Sequence, residues 1–177
     1  MKKAMLFVLV GALFVAVVSG QETALEDEHA QLMAQVKKQL LKITTSDTPF
    51  DYVSYYVSGP VVVLDGFTVQ PTFKAKSEEV VRQLEWVTHV VNKIQYTPQE
   101  ARTRELRSKI LSILQQQLPT SFGGNRALIR IKVVEYEVTL VGIIAEIDKA
   151  RLERAIVQIK GLPLITSVDN QVAIRKK

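Results

Sequence analysis

The chain writes one pattern twice, and this repeat limits what it can fold into. "VVVLDG" ends at Gly66 and "EVTLVG" ends at Gly142, 76 residues later. At that offset residues 52–66 fall on residues 128–142. Val53, Tyr55 and Val57 then meet Ile129, Ile131 and Val133, while Val62 and Leu64 meet Val138 and Leu140. Every pair keeps the alternation of a half-buried strand. Further on, "VTHVVNKIQY" (residues 87–96) matches "ITSVDNQVAI" (residues 165–174). Asn92 and Asn170 are 78 apart, so the second copy carries two extra residues, around Leu162 to Leu164.

Helical spacing flanks both strand pairs. Before the first pair, Leu32, Val36, Leu40 and Ile43 share a face over residues 30–43. Before the second, Leu106, Ile110, Ile113 and Leu114 do so over residues 104–118. Thr97, Pro98 and Glu100 read as a capping box that opens this helix. After Gly66, Ser77 is a candidate cap for a helix with Val80, Val81, Leu84 and Val87 on its apolar face. After Gly142, Asp148 caps Leu152, Ala155, Ile156 and Ile159, and Gly161 closes the helix. "SGP" at residues 58–60 is a turn signal, whereas "VEYE" at residues 134–137 is not, so the second hairpin rests on the alignment.

The unit is therefore helix, strand, strand, helix, strand. One copy of some 70 residues buries only about 60% of its unfolded surface, so two copies are expected to pack together and share a core. The expected fold class is α+β. Two tandem αββαβ repeats, residues 21–97 and 98–177, each form a three-stranded mixed sheet with two helices on one face. Gly66 and Gly142 are expected to serve a tight strand exit or close packing by the next helix. Asn92 and Asn170 are expected to bond backbone at a turn or strand edge.

The first 20 residues read differently. Lys2 and Lys3 precede an unbroken apolar run, residues 4–18, which ends at Ser19 and Gly20 before the acidic stretch from Glu22. That is the three-part pattern of a secretory signal peptide with cleavage after Gly20. The run is shorter than the roughly 20 residues that span a bilayer core, but an uncleaved membrane anchor is the alternative. The chain has no cysteine, which excludes disulfides, thiolate metal sites, a cysteine nucleophile and a lipoprotein anchor.

The layout resembles the BON domain family. The residues that carry the resemblance are Val62, Leu64 and Gly66 with Val87, Val90, Asn92 and Ile94. In the second copy they are Val138, Leu140 and Gly142 with Ile165, Val168, Asn170 and Val172. It covers nearly all of the chain after residue 20. The chain departs from the family at the helix–strand junction. There Glu85 and Trp86 replace the usual Gly-Val pair, and Gly161 is followed by the insertion. The resemblance implies a periplasmic protein of the cell envelope linked to phospholipid surfaces and envelope stress.

Catalytic chemistry has little to stand on. His29 and His89 lie in different segments, and no zinc-protease, nucleophile-elbow, phosphate-loop or dinucleotide pattern occurs. "FGGN" at residues 122–125 follows a helix and enters a strand, the reverse of a phosphate loop. Glu26, Asp27, Glu28 and His29 point around a helix axis and cannot converge on a metal. No enzyme activity and no cofactor are expected.

Charge says more. Residues 21–98 hold 7 basic and 10 acidic side chains, and residues 99–177 hold 14 and 8, so the copies carry −3 and +6. Arg130 and Lys132 alternate against the apolar residues of their strand, and Arg151, Arg154 and Lys160 lie off the apolar face of their helix. These five are the candidate residues for anionic lipid. The preceding helix adds Arg102, Arg104, Arg107 and Lys109, and the tail adds Arg175, Lys176 and Lys177. In the first copy Tyr52 and Tyr56 share a strand face, either as a protein-docking patch or as a contact with the second repeat. The sequence reading is a non-enzymatic, peripheral envelope module that associates with anionic phospholipids, with no nucleic-acid partner. Its alternative is a soluble periplasmic stress chaperone that docks envelope proteins.

Overall fold

The computed structural model describes residues 7–43, 48–122 and 128–176. Two sheets, each covered on one face by two helices, follow one another along the chain. In the first, helix α1 (Phe7–Ile43) leads into β1 (Tyr52–Ser58), β2 (Val61–Thr68), α2 (Phe73–Arg82), β3 (His89–Asn92) and β4 (Gln95–Tyr96). In the second, α3 (Ala101–Gln117) leads into β5 (Ile129–Val134), β6 (Glu137–Ala145), α4 (Lys149–Lys160) and β7 (Ser167–Arg175). The fold is α+β, with two sheet-plus-helix repeats, as the sequence predicts.

Register bears the internal alignment out pair by pair. Val53, Tyr55 and Val57 lie opposite Gly66, Leu64 and Val62 in the antiparallel β1–β2 pair. Ile129, Ile131 and Val133 lie opposite Gly142, Leu140 and Val138 in β5–β6. The last strand returns parallel, with Leu64 beside Asn92 and Leu140 beside Asn170. Each sheet is thus mixed, with the V-x-L-x-G strand in the middle. The edge strand of the first sheet comes in two pieces. It breaks after Asn92, whose Oδ1 accepts the Ile94 amide at 3.2 Å, and β4 then pairs with Phe67 and Thr68. Asn170 makes the same bond to the Val172 amide at 3.2 Å, but β7 runs unbroken for 9 residues. Both asparagines therefore bond backbone on an edge strand, as expected. Asn92 also donates to the Lys74 carbonyl, tying the edge to α2.

The two glycines act inside their strands. Gly66 has φ +141 and Gly142 φ +156. A Cβ on Gly66 would lie 2.1 Å from the Tyr52 carbonyl oxygen, and one on Gly142 would lie 2.1 Å from that of Leu128. The close neighbour is the preceding strand, not the following helix, which corrects the sequence expectation. The β5–β6 turn is as unusual. Glu135 and Tyr136 take φ of 47 and 68 without being glycine. Tyr136 is held there by packing on the second core, and its carbonyl accepts the Thr166 amide. That tertiary support explains why no turn signal was written at residues 134–137.

Each repeat has its own core. Val36 and Leu40 of α1 and Val81 of α2 close over Val57, Val62, Leu64, Val90 and Ile94. Leu106, Ile110 and Leu114 of α3 and Leu152, Ala155 and Ile159 of α4 close over the second sheet. The shared core expected from the sequence is not formed. The repeats are instead stitched by chain segments between elements. Phe50, just before β1, packs against the second core, and the neighbouring Pro49 carbonyl accepts the Ile131 amide of β5 at 2.7 Å.

Two capping assignments change. α2 begins at Phe73, so Ser77 lies one turn in, fully buried, with its hydroxyl donating to the Phe73 carbonyl. α3 begins at Ala101, so Thr97 is not its cap; the Thr97 amide and hydroxyl both donate to the Thr68 carbonyl. Asp148 and Gly161 do flank α4, though Asp148 makes no side-chain cap bond and Gly161 stays in a right-handed helical conformation. α1 is longer than the sequence suggests, running through Gly20 as one helix of 37 residues. From Leu25 to Gln31 its residues are exposed, and packing starts at Leu32. No helix among the described residues is long and apolar enough to cross a membrane.

Gly66→Ala and Gly142→Ala should each cost about 3 kcal/mol or more in urea unfolding, because the new Cβ meets backbone that cannot step aside. Gly59→Ala, at φ +53 with nothing within 4 Å of a Cβ, should cost only about 1 kcal/mol.

Candidate functional site

The second sheet divides the basic residues between two faces. Ile129, Ile131 and Val133 point into the core beneath α3 and α4, so Arg130 and Lys132 project from the opposite face of β5. Arg151, Arg154 and Lys160 lie on the outer side of α4. The five residues singled out in the sequence are therefore not one surface. Arg130 turns toward the first repeat, where its Nη1 donates to the Thr48 carbonyl at 2.8 Å. Arg151 is paired with Asp148 at 3.2 Å. Arg154 and Lys160 are exposed and form no ion pair among the described residues.

The outward side of α4 mixes this charge with apolar surface. Ala150, Arg154, Val157 and Gly161 follow helical spacing opposite the buried Leu152, Ala155 and Ile159. Val157 is 69% exposed, Ile147 in the 3-10 turn just before the helix is 84% exposed, and Leu164 just after it is 61% exposed. Glu153 is the acidic exception on this side. The charges of α4 are visible in the sequence, but the exposure of these three apolar residues is not, because it depends on how the described residues pack.

Arg107 is a correction of another kind. The sequence places it with the surface cations of α3, but it is 3% exposed. Its Nη2 donates to the Val133 carbonyl at 3.1 Å and the Thr97 carbonyl at 3.5 Å, and its Nη1 to the Pro98 carbonyl at 3.4 Å. Burial pushes the guanidinium below its ordinary pKa. It fastens the link between the repeats to β5 and contributes nothing to an outer surface. Lys109 is paired with Glu105 at 2.8 Å.

The tyrosines also part company. Tyr56 is 61% exposed, whereas Tyr52 is half-buried, with its ring 5.8 Å from that of Phe67. Tyr52 borders a cleft between the repeats of about 630 Å³, opposite Leu128 and Ile143 of the second. Tyr52 thus stands at the boundary between the repeats, and Tyr56 is not among the residues that line the cleft. Tyr55 lines the same cleft, and burial raises its phenol pKa above the ordinary value. Leu64 and Leu140 are fully buried, so with the two glycines and two asparagines they belong to the framework. Among the described residues no group of three His, Asp or Glu side chains is placed to hold a metal.

Arg107→Ala should cost about 2–3 kcal/mol, since it removes a charged donor from three carbonyls, two of them in buried bonds. Arg102→Ala, on the exposed side of the same helix, should stay within about 0.5 kcal/mol. Chemical denaturation of both variants checks the contrast.

No family model matches the chain, and no curated protein matches it. Among solved structures it is similar to CdsD, a structural protein of the type III secretion system of Chlamydia trachomatis. The identity is 13% over 82% of this chain and 92% of that one, with a TM-score of 0.31. A second structure, the C-terminal domain of CdsD, gives 10% identity, coverage of 81% and 96%, and a TM-score of 0.30. At those scores the likeness carries neither fold nor function to this chain.

Proposed function

We propose that this chain is a non-enzymatic binding module of the cell envelope that adsorbs to anionic phospholipid surfaces through the outer face of α4. The observation that carries the reading is the exposure of Arg154, Val157 and Lys160 on α4, with Ile147 and Leu164 exposed just beyond its two ends. A basic side chain near an acidic membrane contributes about 1 kcal/mol, and apolar groups beside it gain by entering the headgroup boundary. The export pattern of the first 20 residues and the resemblance to BON domains support the same reading. Arg130 and Lys132 drop out of it, because a flat surface that meets α4 cannot also meet the far face of β5. The periplasmic chaperone reading is the second hypothesis, favoured by the exposed Tyr56 on the first sheet.

Co-sedimentation with vesicles tests it. The protein should bind phosphatidylglycerol vesicles and not phosphatidylcholine, and binding should fall as salt rises. The double variant Arg154→Gln, Lys160→Gln should bind about thirtyfold more weakly, at ~1 kcal/mol for each charge, and Glu153→Gln should bind more tightly. Equal binding to both vesicles, or none to either, would overturn the membrane reading. Salt-insensitive capture of unfolded envelope proteins would instead favour the chaperone.

A further inference from the structure

Strand β7 leaves one long edge of the second sheet without a neighbour. Among the described residues it pairs with β6 alone, and the first repeat bonds the opposite edge, where the Pro49 carbonyl accepts from β5. β7 runs for 9 residues without a break. The corresponding edge of the first sheet comes in pieces of 4 and 2 residues. Asp169, Asn170, Gln171, Ala173 and Arg175 are exposed along β7. A long edge offers backbone donors and acceptors to another strand, which is why proteins break, cover or charge such edges. The first repeat breaks its edge, and the second does not.

What fits this edge is written in β7 itself. Val168, Val172 and Ile174 pack on the second core, so Asp169, Gln171, Ala173 and Arg175 lie on the other face. A second β7 can join antiparallel, with both cores on one side, only in a register that sets residues of the same face opposite each other. Centred on Val172, such a register sets Asp169 of each copy opposite Arg175 of the other. Gln171 meets Ala173, and Asn170 meets Ile174, so no like charges face each other. Among the described residues Asp169 accepts from the Gln171 side-chain amide at 2.7 Å and forms no ion pair, and neither does Arg175. Centred on Gln171 instead, Asp169 would face Ala173 and Arg175 would face Ser167, and both ion pairs would be lost.

Asn170 guards the middle of the edge. In the first sheet the Lys93 amide reaches the Leu64 carbonyl of β2 at 2.7 Å, so the next amide, of Ile94, faces away from β2, and this is the one that Asn92 holds. Val172 is the counterpart of Ile94, and Asn170 holds its amide at 3.2 Å. That side-chain bond opens when the carbonyl of a partner strand takes its place.

We infer that β7 is a self-association edge, on which a second copy of this chain docks antiparallel about Val172 and joins the two sheets into one. The same patch serves both copies, so the contact closes as a symmetric dimer. Two strand edges make a small interface, and the dimer forms weakly, with rising concentration.

The chain has no cysteine, so single cysteines report the register. Directly opposed strand residues have Cα atoms about 4.5–5.5 Å apart, within disulfide range. A mixture of full-length Gln171→Cys and Ala173→Cys chains should give, on oxidation, at least about fivefold more cross-linked dimer than either chain alone. In sedimentation, Asp169→Arg and Arg175→Asp should each weaken self-association about tenfold. An equimolar mixture of these two variants should restore it, because each mixed dimer regains both ion pairs. Asn170→Val should tighten it, since it frees the Val172 amide and sets a β-branched side chain opposite Ile174. The inference is overturned by cross-linking no greater than that of an Arg102→Cys control, or by a predominance of 171–171 cross-links. It is overturned equally if the mixed charge variants associate no better than either alone. Association through the apolar run of residues 4–18 would show neither the 171–173 preference nor the effect of mixing, and so would also overturn it.

Discussion

In each repeat the first strand runs so close to the middle strand that no side chain fits between them. The contact is between the Tyr52 carbonyl and Gly66 in one copy and between the Leu128 carbonyl and Gly142 in the other. A pairing pinned at that point cannot slip by one residue, and a slip would send every core residue of the strand to the wrong face. Val57, Val62 and Leu64, and Val133, Val138 and Leu140, are consequently delivered to the same side in each sheet. The helices close over that side alone. The opposite side of each sheet is left to polar residues such as Ser54, Arg130 and Lys132.

How the repeats meet follows from what the helices leave uncovered. Since each copy completes its own core, little apolar surface remains for a broad interface. The junction is made by a few hydrogen bonds: the Pro49 carbonyl accepts from Ile131 of β5, the Thr97 amide and hydroxyl donate to Thr68 at the end of β2, and the Arg107 guanidinium donates to the Thr97, Pro98 and Val133 carbonyls. A junction of this kind fixes orientation through a few directional bonds and leaves space beside them. The cleft is that space, lined by Tyr52 and Val53 of the first repeat and by Leu128 and Ile143 of the second.

The proposed membrane face draws on only part of the charge of the second repeat. Of its +6, Arg107 is consumed inside the fold and Arg130 is committed to the junction, while Arg151 and Lys109 are paired locally. What remains on α4 is modest in charge. The proposed adsorbing surface would therefore depend on Ile147, Val157 and Leu164 as much as on Arg154 and Lys160.

The strands, the two-copy layout, the central glycines and most of the core were legible in the residues themselves. Alternation and helical spacing are distances along the chain, and a repeat states each of them twice. The functional surface was legible only in part, because exposure and opposition are distances across the fold. Nothing in the spacing of Leu106, Arg107 and Ile110 says that the arginine is swallowed with its neighbours; only the arrival of Val133 and Thr97 beside it does. Ser77 looked like a cap because serine competes well for helix ends, yet it sits at the buried i+4 position from Phe73, where its hydroxyl is satisfied by that residue's carbonyl. Arg130 and Arg154 looked alike as strand and helix charges, and the sheet then put them on opposite sides. The sequence by itself determined the unit and its doubling. The tertiary structure decided which cations face water, which hold the repeats together, and where a cleft opens between them, because each depends on segments far apart in the chain coming into contact.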